Sequence, residues 1–210
     1  MATMATLRVK AASRFRDAGN DVISTEQWCN YINDAYDEVN QASPFWPWME
    51  TRNQSVSVTA GARTGNLPAD VVTVNSVFNS TDDVAMHPND GKGAQFRGGG
   101  SATETGPPRS YRLSGSTIEV YPLPLVTTTL ILEVVVSPTR MIDGGAPAYP
   151  TAYHHDLVTG ALALAYLDDG NQEMYNIHWA NFQSKIEKMK NTILAARSEQ
   201  YPVIRDSFWD

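Results

Sequence analysis

The sequence predicts an α+β chain: an α-helical bundle made from the N- and C-terminal segments, with an antiparallel β sandwich or barrel inserted between them. Three observations carry that prediction. Apolar residues recur at steps of three and four near both ends, they alternate at a step of two in the middle, and each outer stretch presents an apolar face that needs a partner. The C-terminal seam is the clearest of these, because Tyr175, Trp179, Phe182, Ile186, Met189 and Ile193 fall on one face of a long helix. The helix ahead of it offers Leu157, Ala161, Leu164 and Ala165 with Gly160 among them, and Asp168 to Asn171 break the pattern between the two. The pair is expected to fold back antiparallel.

Composition narrows the function classes. The 210 residues, 42% of them hydrophobic, suffice for a real core, and a net charge of −7 argues against tight binding to a phosphate backbone. A local basic group remains, since Arg8, Lys10, Arg14 and Arg16 crowd one short segment. The single cysteine, Cys29, excludes an intramolecular disulfide and a cysteine-rich zinc site; beside Trp28 in a helical pattern it reads as a small buried hydrophobe. Residues 1–6 hold no apolar signal core and no run approaches membrane-spanning length, so a reducing, aqueous compartment without a membrane partner is expected.

Along the chain, Leu7 to Ala18 reads as a short helix stopped by Gly19-Asn20-Asp21. Ser24 and Gln27 have the spacing of a capping box, opening a helix that puts Trp28, Ile32, Ala35 and Val39 on one face. Pro44 and Pro47 end helical structure in the aromatic knot Phe45-Trp46-Pro47-Trp48-Met49, expected as a plug between a helical layer and a sheet rather than an exposed patch. From Gln54 the period is two: Val56 and Val58 alternate with polar residues, Ala60 to Gly65 turns, and Val71 to Phe78 runs on. Val84 to Met86 adds a short strand. Tyr111 to Leu113 faces Ile118 to Tyr121 across Ser114-Gly115-Ser116, a hairpin signal, and Thr128 to Val136 reads as a strand covered on both faces. Pro138 to Pro150 leads back to helices, with Thr151 as N-cap. The domain reading is therefore a helical bundle from residues 1–50 and 150–200, an inserted β domain at 51–149 with a long Gly-rich loop at 79–107, and a tail at 201–210.

That tail departs from the usual polar terminus. Pro202 stops the long helix near Tyr201, yet Val203, Ile204, Phe208 and Trp209 follow, with Arg205 among them. The residues alone allow packing on their own domain or docking into a neighbour.

Reactive constellations are weak. His154-His155-Asp156 is the one cluster resembling a metal or acid/base site, but adjacent histidines at a helix start point in different directions and no third ligand follows at i+4. Asp82-Asp83 and Asp168-Asp169 are turn residues first. The clusters Gly91-Lys92-Gly93 and Gly98-Gly99-Gly100 lack the strand and helix that a phosphate-cradling loop needs. No catalytic, cofactor or metal residue is assigned, and no enzymatic activity is expected.

Taken in order, Arg14-Phe15-Arg16-Asp17, then Tyr31-Ile32-Asn33-Asp34-Ala35-Tyr36 in a capped helix, Leu67-Pro68-Ala69-Asp70, and Tyr111-Arg112-Leu113-Ser114-Gly115 running to Tyr121-Pro122-Leu123-Pro124 resemble the head-to-tail adaptor proteins of tailed bacteriophages. These are also called head completion or tail tubular proteins. The Gly-rich stretch from Asp90 to Gly106 departs from that pattern as an insertion. The resemblance implies a homo-oligomeric ring, typically a dodecamer, in the virion neck between the portal protein and the tail tube or nozzle protein, with viral DNA passing through without specific binding. It further implies that Tyr201, Pro202, Val203, Ile204, Arg205, Phe208 and Trp209 form a tail that docks in the portal. Two rival readings are a β-sandwich binding module for glycan or protein with Trp46, Trp48 and Tyr121 as platform, and a metal hydrolase at His154, His155 and Asp156.

Overall fold

The computed structural model describes residues 2–15, 19, 22–44, 46–89 and 104–200, with side chains through 196. The chain is α+β and divides into two compact units: Met1–Trp48 with Pro138–Asp210, and Met49–Ser137.

The first unit holds four α-helices, α1 (Met4–Arg14), α2 (Thr25–Gln41), α3 (Asp156–Asp168) and α4 (Gln172–Gln200). Helix α1 starts three residues ahead of the expected Leu7 because Thr3 caps it, and it ends at Arg14 rather than Ala18. Ser24 caps α2 as the spacing predicts, its hydroxyl accepting the Gln27 amide at 3.2 Å. The face Trp28, Ile32, Ala35 and Val39 is buried. Thr151 does not cap α3; it opens a 3-10 turn, Thr151–Tyr153, and the α-helix begins only at Asp156. Pro150 in extended backbone starts that turn early, so the helix must restart one turn later.

Helix α3 is the centre of this unit. Every residue from Leu157 to Ala163 is buried, a run that an amphipathic helix cannot produce, since one side would face water. Helices α1, α2 and α4 all pack on it. The small residues expected on one face, Ala161 and Ala165 with Gly160, are buried, and so are Val158, Leu162 and Ala163 on the other sides of the helix. Gly160 is the tightest point, where a Cβ would lie 2.8 Å from the Ala35 Cβ and 2.9 Å from the Phe182 ring. The α3–α4 turn comes at Asp169 to Asn171, with Gly170 at φ +75°, a conformation that glycine adopts without penalty.

The segment Pro138–Tyr149 belongs to the helical unit, not to the β domain expected to run to residue 149. Hydrogen bonds explain the shift. The buried Asn33 carboxamide brackets Met141, accepting its amide at 2.9 Å and donating to its carbonyl at 3.1 Å. Carbonyls of Gly145 and Asp143 accept the Met4 and Ala5 amides at 2.8 and 3.2 Å, satisfying donors that the first turn of α1 leaves open.

The second unit is a mixed seven-stranded sheet in the order β1-β7-β3-β4-β5-β6-β2, from β1 (Glu50–Val58), β2 (Thr64–Asn66), β3 (Val71–Asn79), β4 (Val84–Pro88), β5 (Ser110–Ser114), β6 (Thr117–Tyr121) and β7 (Thr128–Val136). It nearly closes on itself, because β2 comes so near β1 that a Cβ at Gly65 would sit 2.7 Å from Val56 Cγ1. The antiparallel expectation fails at one seam: β4 and β5 run parallel, pairing His87 with Ser110 and Pro88 with Tyr111. Parallel neighbours need a crossover of a dozen or more residues, and the Gly-rich stretch after Pro88 supplies that length. The hairpin stands as read, Ser114 pairing Thr117 around Gly115 at φ +59°. In β7, Leu130, Leu132 and Val134 enter a core shared with Val58, Ile118 and Val120. Its other face is only half covered, with Ile131 and Glu133 partly exposed.

Crowding at Gly160 sets a test. Gly160→Val should destabilise the helical unit by at least about 2 kcal/mol through overpacking. Denaturation followed by tryptophan fluorescence reads this, because Trp28, Trp46, Trp48 and Trp179 lie in that unit.

Candidate functional site

The residues singled out by sequence fall into four groups, and the first is the His154-His155-Asp156 corner. The chain separates these three side chains. His154 is fully buried, with Nε2 2.8 Å from the Tyr149 carbonyl and Nδ1 3.3 Å from the Ala2 carbonyl, so its ring ties the start of α3 to the segments before it and before α1. His155 is exposed, and Asp156 forms an ion pair with Lys185 at 3.1 Å. Lys185 also donates to the buried Thr159 hydroxyl at 2.9 Å. Among the described residues, no three His, Cys, Asp or Glu side chains come together in a set able to hold a metal ion.

The second group is the aromatic knot. Trp46 is fully buried, donates its indole N–H to the Val39 carbonyl at 2.7 Å, and stacks on Trp48 at 4.6 Å. Trp48 in turn donates to Asn40 Oδ1 at 3.1 Å and meets the ring of the buried Tyr149. Burial of the hydroxyl is the main cause that raises Tyr149 well above the ordinary tyrosine value. Tyr121, the third ring of the proposed glycan platform, lies in the other unit and donates its hydroxyl to Glu104. With Trp46 sealed from solvent, these three rings do not form an open platform.

The third group is the α4 seam. Phe182, Ile186 and Met189 are buried, while Tyr175, Trp179 and Ile193 are half-buried. Trp179 contacts both Tyr175 and Phe182 ring to ring. The fourth group, the tail from Tyr201 through Pro202, Val203, Ile204, Arg205, Phe208 and Trp209, lies outside the described residues.

Several polar groups were missed from sequence. Tyr31 donates to Asp168 at 2.5 Å, linking α2 to the end of α3, and burial together with that carboxylate raises the Tyr31 value. Arg140 grips Asp34 at 2.9 Å and Asp37 at 2.6 Å. A signal for the latter was present: Glu26, Asp34, Asp37 and Glu38 share α2 with no Lys or Arg, so any cation for them had to come from outside the helix.

Cations of α1 and α4 lie along α3, from His155 at its start to Tyr166 near its end. His155, although exposed as a residue, is held below the ordinary imidazole value of 6.5 by partial desolvation of its ring, then by Lys10, Arg14 and His154, with Asp156 opposing. His178 is lowered by burial, then by Arg14 and Lys185, and stacks on Tyr166 at 5.3 Å.

Taken together, the ionisable and aromatic side chains singled out in the described helices serve packing, segment anchoring and charged outer faces. The profile of the family described as SU10 adaptor protein matches residues 2–206, and the chain belongs to that family. It is a structural adaptor of bacteriophage virions, a class that interacts with other phage head and tail proteins. A search of curated proteins found no match. Among the described residues, no helix is long and apolar enough to cross a membrane.

The two lowered histidines give a pH prediction. Between their folded values and 6.5 the unfolded chain binds more protons, so their contribution to stability is present above 6.5 and is lost as pH falls through the folded values. Both rings should titrate below 6.5 by NMR, Lys10→Gln should raise the His155 midpoint, and His155→Gln with His178→Gln should flatten the acid side of the stability profile.

Proposed function

We propose that this chain forms a homo-oligomeric ring joining the portal protein of a phage capsid to the tail tube or nozzle protein, and that the ring is part of the DNA conduit. Membership of the adaptor family is the observation that carries the reading. The helical unit supplies the ring-forming body, its helices acting as one bundle closed by the seam Tyr175, Trp179, Phe182, Ile186, Met189 and Ile193. The tail supplies the anchor: Pro202 redirects the chain after α4, Phe208 and Trp209 fill pockets on the portal, and Tyr201, Val203, Ile204 and Arg205 belong to the same docking tail. Repetition around a ring turns modest anchors into tight attachment, since linked sites raise apparent affinity by orders of magnitude without new contacts. The net charge of −7 suits a conduit that DNA slides through, because like charge keeps phosphates from adhering.

Removal of residues 201–210 is the direct test. Portal capture should weaken by at least about a hundredfold as avidity is lost, with the melting temperature of the helical unit unchanged. A truncated chain that melts earlier would place the tail in its own core, contradicting the anchor.

A further inference from the structure

The helical unit is electrically polarised. Helix α1 carries Arg8, Lys10 and Arg14 and no acid, whereas α2 carries Glu26, Asp34, Asp37 and Glu38 and no Lys or Arg. Helix α2 turns Trp28, Ile32, Ala35 and Val39 into the core, and its four acids occupy the opposite arc of the helix. They therefore point away from α3. On α4, His178, Lys185 and Lys188 recur at steps of seven and three, which places them on one flank. That flank meets the Arg14 end of α1 across Tyr166, whose ring contacts Phe15 at 4.9 Å and stacks on His178 at 5.3 Å. Helices α1 and α4 thus form a basic face over α3, while α2 leaves α3 on its own acidic side.

Pairing within the chain leaves much of both faces over. On the basic face, Asp156 holds Lys185, while Lys10, Arg14 and Lys188 have no acidic partner among the described residues. On the acidic face, Arg140 takes Asp34 and Asp37, but the exposed Glu26 and Glu38 have no cation among the described residues. Helix stability does not explain the acids either. Asp37 and Glu38 sit near the C-terminal end of α2, where the helix dipole disfavours negative charge, and no basic residue stands in its last turn.

We propose that the two faces are the halves of one heterologous interface, the α2 acids of one copy seating against the Lys10, Arg14, Lys185 and Lys188 face of the next. This rests on the ring reading, because a ring of identical subunits needs two different, complementary surfaces on each. A second copy is the occupant the charges favour: the same molecule carries the matching acidic stripe.

Charge reversal in the full chain tests it, leaving Lys185 in place because it holds Thr159 and Asp156. One variant carries Lys10→Glu, Arg14→Glu and Lys188→Glu; the other carries Glu26→Lys and Glu38→Lys. At low ionic strength, where screening is weak, sedimentation should show concentration-dependent self-association of the wild type, at least tenfold weaker in either variant and regained in their equimolar mixture. Melting curves of each variant check that it is folded. A wild type that stays monomeric, or folded variants that associate like it, overturns the interface. So does a basic-face variant that loses only salt-sensitive retention on duplex DNA and keeps self-association, which assigns the face to nucleic acid. Negative-stain images on a portal separate this from the ring itself: rings that form regardless of reversal leave the adaptor reading intact, whereas no rings with wild type sink that reading.

Discussion

The helical unit depends on the absence of a single side chain. At Gly160, α3 has only a hydrogen where any other residue would put carbon into Ala35 of α2 and Phe182 of α4 at once. That space lets two helices from distant parts of the sequence close on α3 from different sides. Contact at this range is where dispersion is gained, because protein interiors are packed like organic crystals and a gap of half an ångström forfeits much of the attraction. Residues 158–163 follow from the same constraint: a helix packed by three others carries no charge on any side, and the one buried polar side chain there, Thr159, is matched by the Lys185 ammonium.

Polar groups then fix what packing alone would leave loose. The segment Pro138–Tyr149 has no regular structure, so its backbone must find partners elsewhere. Asn33 supplies one pair, the first turn of α1 supplies another, and Arg140 reaches Asp34 and Asp37. His154 closes the arrangement from the other side, its two ring nitrogens facing carbonyls of Ala2 and Tyr149. Residues usually examined for chemistry thus act as fasteners. This agrees with membership of an adaptor family.

Periodicity was the legible part of the sequence. The capped start of α2, the hairpin around Gly115, the turn at Gly170 and the apolar spacing of α2 all follow from local rules that tertiary context did not override. What local rules could not reach were matters of partner choice. Nothing in Val84–Pro88 or Ser110–Ser114 says that they run parallel; only the length of chain between them permits it. Asn33 looks like any polar residue in a helix until Met141 is beside it, and Thr151 has the side chain of an N-cap without the helix following. The basic group of α1 was visible as composition, but only the packing of α1, α2 and α3 on one another shows which way its charges and those of α2 face.

Shared packing on α3 should make α1, α2 and α4 one cooperative unit. Native-state hydrogen exchange on the full chain tests it most directly, because amides that open together share one free energy of opening. The buried amides of α1, α2 and α4 should exchange with the same opening free energy as those of residues 157–163. An α1 or α2 that opens several kcal/mol more easily while α3 and α4 remain protected would contradict it.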